Sequence, residues 1–172
     1  MGVLQGWRVC PRCGSDLEVE GGTASCEVCG SRFYASSFPT ASGLLVDDAG
    51  RALLSRRGVD PRGGKWDIPG GFLEEGEHPL DGLRRELHEE TGLDVEPVRY
   101  LGAFMDAYGE DERAIATLNL MWVVRANRGE PKAADDVDEL RWFAPDELPA
   151  RSELAFECIE QALDAWRRVP PG

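Results

Sequence analysis

The stretch GGFLEEGEHPLDGLRRELHEETGL, Gly70 to Leu93, holds seven Glu or Asp residues around one short helical pattern. Like charges three and four residues apart on a helix repel one another. A chain that folds this way must place something positive among its acids. Pro79 suits the first turn of a helix and Gly92 its C-cap, so the spacing predicts a helix from Pro79 to Thr91. At about 100° per residue, Leu80, Leu83 and Leu87 fall on one side and can face a core. Glu86, Glu89 and Glu90 converge on a polar side. A solvated acidic face laced by salt bridges is one reading of that side. The other is a cluster of hard oxygen ligands suited to Mg²⁺ or Mn²⁺, which also keep waters and phosphate oxygens in their coordination sphere.

The chain of 172 residues fits one domain of ordinary size with a small appendage. Its formal net charge is −13, which repels phosphate backbones and makes nucleic acid an unlikely partner. No apolar run reaches the roughly 20 residues of a membrane span. The opening MGVLQGW lacks the charged and apolar regions of a signal peptide, so a cytoplasmic location is expected.

From Ala41 the sequence reads as a mixture of strands and helices. Ala41–Val46 and Arg51–Ser55 flank the turn Asp47–Gly50 as a hairpin. Trp66–Ile68 is a short strand, and Val95–Phe104 and Ala114–Arg125 are longer ones. Glu139–Phe143 is a further strand. Ser152 is the expected N-cap of a last helix whose apolar stripe includes Leu154, Cys158, Ile159 and Trp166. His78 and His88 read as surface residues.

The first 34 residues differ from the rest. Cys10-x2-Cys13 and Cys26-x2-Cys29 form two knuckles separated by twelve residues, each followed by glycine. Four thiolates at this spacing describe a closed tetrahedral Zn²⁺ site with a structural role. A segment this short buries too little surface to fold without such help. Disulfides and a redox pair are the alternatives. The odd count of five cysteines and the missing signal speak against the first, and the lack of a strand-to-helix setting against the second.

Gly71, Glu77, Arg85, Glu86, Leu87, Glu89, Glu90, Gly92 and Leu93 match the pattern G-x5-E-x7-R-E-U-x-E-E-x-G-U position for position. With each residue type at a frequency of about 7%, the seven fixed positions match by chance on the order of 10⁻⁸ per window. The chain thus resembles the Nudix hydrolase family. The lead-in GKWDIPGG and the closing ELRWFAPDELP extend the resemblance more loosely from Ala41 to about Leu148. It implies an α/β/α sandwich with a mixed sheet over residues 37–168, preceded by a zinc ribbon at 1–34.

The resemblance also implies roles. Glu86, Glu89 and Glu90 match metal-binding and catalytic carboxylates, and the Gly71 carbonyl matches a backbone metal ligand. Arg85 matches the residue that orients the glutamates, and Glu77 the acid that braces loop and helix. Gly92 is structural within the box. The implied reaction is metal-dependent hydrolysis of the pyrophosphate in a nucleoside diphosphate linked to another group, such as ADP-ribose, FAD or NADH. Glu86 is the first candidate for the base and Glu139 the second, with a surface strand residue as the plain reading of Glu139. Arg56 is a candidate for holding the pyrophosphate or simply an exposed arginine, and Tyr108 a candidate for stacking on a base. The resemblance leaves a homodimer open. A nucleotide-sensing regulator and an RNA cap hydrolase remain the alternative functions.

Overall fold

The computed structural model of the chain describes residues 3–168. Two sheets organise it. β1 (Glu18–Glu20), β2 (Thr23–Ser25) and β3 (Arg32–Tyr34) form a small antiparallel sheet in sequence order. Its core is slight: Leu4, Leu17 and Ala24 pack with Cys10 and Cys26.

The larger sheet is built on β4 (Phe38–Val46), which lies antiparallel to β5 (Ala52–Arg57) and parallel to β9 (Ile115–Arg128). β10 (Val137–Phe143) borders β5, and β8 (Asp94–Tyr108) borders β9. Two short strands attach to this frame: β6 (Trp66–Asp67) to β5 and β7 (Gly70–Phe72) to β4. A strand covered on both faces should be almost continuously apolar. β4 meets this at its end, where Leu44 and Leu45 are both buried but face opposite cores.

Helices cover the two faces. α1 (Pro79–Thr91) lays Leu83 and Leu87 against Ala41, Leu45, Leu53 and Val124. α2 (Glu157–Arg167) lays Cys158, Ile159, Ala162 and Leu163 against Leu44, Leu54 and Met121. The result is the expected α/β/α sandwich with a mixed sheet. α1 runs between the expected residues. The His78 ring nitrogen accepts the Leu80 N–H at its start, and Gly92 closes it at a left-handed φ of 69°.

The last helix begins later than expected. Ser152 lies inside a 3₁₀ turn at Arg151–Glu153, and Phe156 occupies the N-cap of α2. The cause is tertiary. Ala155 donates its N–H to the Trp66 carbonyl at 2.8 Å, which pins this segment to β6 before a helix can form. Leu80, Leu154 and Trp166 are only partly buried, at the margins of the two cores. β8 and β9 also run beyond their expected C-terminal ends, to Tyr108 and to Arg128. Register shifts along β8 carry its pairing through positions where the apolar alternation breaks.

Candidate active site

The turn from β6 through Pro69 into β7 brings the glycines against α1. Gly70 donates its N–H to Glu90 Oε2 at 3.0 Å. At Gly71, a β-carbon would overlap the Glu86 carboxylate, so only glycine lets backbone and acid approach this closely. One turn of helix separates Glu86 from Glu90, which places both under the same strand.

Arg85 organises the surrounding acids. Its guanidinium donates to both Glu77 oxygens at 2.9 and 2.8 Å, to Glu86 Oε1 at 2.7 Å and to Glu89 Oε2 at 3.2 Å. It also donates to the Phe72 carbonyl at 3.2 Å, tying α1 to β7. The Arg85 hydrogen bonds, joined by the Glu74 N–H, hold the Glu77 carboxyl at about 2. Burial, opposed by Arg85, pushes the Glu86 carboxyl upward.

Glu90 is in a different situation. Burial pushes its carboxyl up to about 9, and the negative fields of Asp67, Asp136 and Glu86 add to the effect against one opposing Gly70 N–H. Among the described residues no side-chain cation is bonded to Glu90, so a bound cation would offset this concentration of negative charge. The donor set is all hard oxygen, which fits Mg²⁺ or Mn²⁺. Arg85 engages one oxygen each of Glu86 and Glu89, and Gly70 engages one of Glu90. Among the described residues, only the four cysteines converge closely enough to surround an ion as they stand.

Those cysteines fit zinc. Their sulfurs all lie within 4.8 Å of one another, with Cys13–Cys26 at 3.5 Å and Cys10–Cys29 at 3.7 Å. Zn–S bonds of about 2.3 Å in a tetrahedron require sulfurs about 3.8 Å apart.

On the other side of Gly70 and Gly71 a cleft of about 460 Å³ opens between the sheet and α2. Thr40, Ser42, Thr117 and Asn119 line it from the sheet, and Arg57, Asp67, Phe72, Tyr108 and Phe156 at its sides. Arg57 donates to Asp67 Oδ2 at 3.0 Å, to the Pro61 carbonyl at 2.9 Å and to the Tyr108 hydroxyl at 3.3 Å. Burial raises the Asp67 carboxyl, and the Arg57 guanidinium opposes that rise. The Asn119 amide is engaged by Thr40, Thr117 and the Phe104 carbonyl, so this polar strip is bonded to itself.

Tyr108 lines the cleft. Arg56 does not: its neighbour Arg57 does. Strand alternation explains the exchange, since successive side chains of β5 point to opposite faces. Arg56 lies over the Trp66 ring and pairs with Glu139 at 3.3 Å, both half exposed, so Glu139 and Arg56 answer each other on the β5–β10 pair. Sequence reasoning missed Arg57, Asp67, Asp136, Phe72 and Phe156 as site residues. Asp67 stands within the GKWDIPGG lead-in, which offered a signal; Phe156 had none.

Residues 37–162 match the family model for the NUDIX domain. The chain belongs to the Nudix family. As a Nudix hydrolase it is 32% identical over 126 residues to the ADP-ribose pyrophosphatase of Methanocaldococcus jannaschii, covering 73% of this chain and 71% of that protein. It is 30% identical over 169 residues to the NAD-capped RNA hydrolase NudC of Vibrio parahaemolyticus, covering 94% of this chain. That match spans only 61% of NudC. A NUDIX hydrolase from Nitrosomonas europaea shares the fold at a TM-score of 0.76 and 22% identity, over 94% of this chain and 92% of its own. Among the described residues, no helix is long and apolar enough to cross a membrane.

Proposed function

We propose that this chain hydrolyses the pyrophosphate bond of a nucleoside diphosphate joined to a second group, of the ADP-ribose, FAD or NADH kind. The observation that carries the reading is the convergence on Gly70 and Gly71. One side of that strand meets the acids of α1, and the other opens to the cleft. A diphosphate at the strand reaches the acids while its base enters the cleft.

In this reading Glu86, Glu89, Glu90 and the Gly71 carbonyl hold Mg²⁺ or Mn²⁺. When bound, the cation neutralises phosphate charge and makes water a better nucleophile. Water oxygen forms the new bond to one phosphorus, the bridging P–O bond breaks, and the other phosphate leaves. Glu86 accepts the water proton. Arg85 holds Glu86 in place through its second grip on Glu77. Arg57, at the cleft, offers the positive charge that the resemblance had placed on Arg56. The 1–34 segment, of which residues 1 and 2 lie outside the described residues, is a zinc ribbon held by Cys10, Cys13, Cys26 and Cys29; residues 37–168 form the catalytic unit, and the protein works in the cytoplasm.

A second reading has one observation in its favour. The similarity to the NAD-capped RNA hydrolase extends over nearly the whole chain rather than residues 37–162 alone. The net charge of −13 opposes a long RNA contact. Mononucleotide release from ADP-ribose, FAD, NADH and NAD-capped RNA, with Mg²⁺ or Mn²⁺ present, decides between the two. The small-molecule reading expects turnover of at least one free dinucleotide or nucleotide sugar at a rate above that of capped RNA. Turnover of capped RNA alone would replace it, and binding without turnover of any would leave a sensor.

A further inference from the structure

Four aromatic rings form a row from the end of the ribbon to the start of α2. Phe38 and Phe72 lie 6.5 Å apart at 88°, and Phe72 and Tyr108 lie 5.2 Å apart at 87°. Tyr108 and Phe156 lie 5.8 Å apart and near parallel, at 28°. The residues come from four separate places: the first position of β4, the last of β7, the last of β8 and the N-cap of α2. None of the four is buried, and Phe38 is 40% exposed. Phe156 also packs against the core under α2, whereas Phe38, Phe72 and Tyr108 belong to neither core cluster.

The angles divide the row. Phe72 stands perpendicular to both neighbours, so it separates one stacking surface, Phe38, from another, the Tyr108–Phe156 pair. The pair lines the cleft, and Phe38 lies outside it. The Arg57 guanidinium caps the pair, 5.6 Å from the Tyr108 ring centre and 5.3 Å from that of Phe156. Phe72 follows Gly71 directly, and its carbonyl is held by Arg85. The divider is thus fixed relative to the acids that would act on a diphosphate.

We propose that Phe38 and the Tyr108–Phe156 pair are two platforms for the two ends of one ligand, so that the preferred substrate is a pyrophosphate carrying an aromatic ring at each end. This rests on the pyrophosphohydrolase reading above and narrows it. A nucleotide sugar fills one platform; a dinucleotide fills both. Aromatic surfaces suit the role because every base has a face to stack, and a stacked base contributes a substantial part of binding.

The test compares NADH, with two ring systems, and ADP-ribose, with one. Phe38→Leu keeps apolar bulk and removes the ring, and Phe38→Trp restores a ring. Phe38→Leu should raise KM for NADH about fivefold or more while leaving KM for ADP-ribose within about twofold. The kcat on both should hold, because stacking acts alike in ground and transition states. Phe38→Trp should return KM for NADH toward the wild-type value. An unchanged KM for NADH, or an equal rise for both compounds, overturns the proposal. If the wild-type protein cleaves neither compound, the hydrolase reading fails on its own. Calorimetric Kd values of the same variants for NADH and ADP-ribose then judge the platforms by the same difference.

Discussion

Gly71 sits so close to Glu86 that an added β-carbon would overlap both oxygens of the carboxylate. The contact makes β7 and α1 one mechanical unit. Gly71→Ala must push either the strand or the acid aside. The Glu86 carboxylate is the far end of a flexible side chain, so it can yield with little loss of stability. Displacing a reacting group by about 1 Å can lower turnover on the order of 10²-fold. Thermal unfolding and kcat on the best substrate check the two effects. Wild-type turnover in Gly71→Ala would show that the placement of Glu86 does not limit the reaction.

Glu77 supplies a pH dependence with a definite sign. Its carboxyl is held at about 2 by Arg85, below its ordinary value of 4.5. The folded chain therefore binds fewer protons there than the unfolded chain. Its contribution to stability is present above about 4.5 and is lost as pH falls toward 2. Glu77→Gln should lower the melting temperature at pH 7 and narrow its difference from wild type by pH 2.5. A difference that stays constant across this range would mean that the Glu77–Arg85 pair is not the acid-sensitive contact.

Much of this arrangement was legible in the sequence because local chemistry decides it. The α1 boundaries follow from Pro79 and Gly92, and its buried side from Leu83 and Leu87. The cysteine cluster follows from short-range spacing. What escaped depends on contacts between distant segments. The late start of α2 is set by the hydrogen bond from Ala155 to Trp66. The choice of Arg57 over Arg56 depends on which face of β5 looks into the cleft, and two adjacent arginines give no sign of it. Asp136 joins the field around Glu90 although the two lie far apart in the sequence.

The ribbon should depend on metal. Its apolar core comprises Leu4, Leu17 and Ala24, two of the four cysteines and the partly buried Phe33, too few side chains to order the segment alone. Elemental analysis of the purified protein should give one zinc per chain. Replacing Cys13 by Ser should lower zinc retention and speed amide hydrogen exchange across residues 8–34. Exchange in α1 should change little, since its core is separate. Full exchange protection of the ribbon after complete removal of zinc would overturn this.

Glu86→Gln tests the chemistry itself. The substitution keeps the size of the side chain and an oxygen that can still coordinate, but removes the negative charge and the capacity to take up a proton. Removing a general base costs roughly 10²–10⁴-fold in rate. Weaker cation binding adds to that loss, so kcat should fall even at saturating Mg²⁺ or Mn²⁺. Binding of the base should fall less, because the cleft residues are untouched. Glu89 is the contrasting case. Its side chain is 46% exposed and reaches Arg85 only at 3.2 Å, so it is free to turn toward a cation. Glu89→Gln should act through metal affinity, and excess metal should restore much of its activity. The measurement is kcat against metal concentration for both variants in folded protein. Recovery of Glu86→Gln to the wild-type rate at high metal would reduce Glu86 to a ligand and move the base elsewhere. Failure of Glu89→Gln to recover at all would give it a role in the proton transfer.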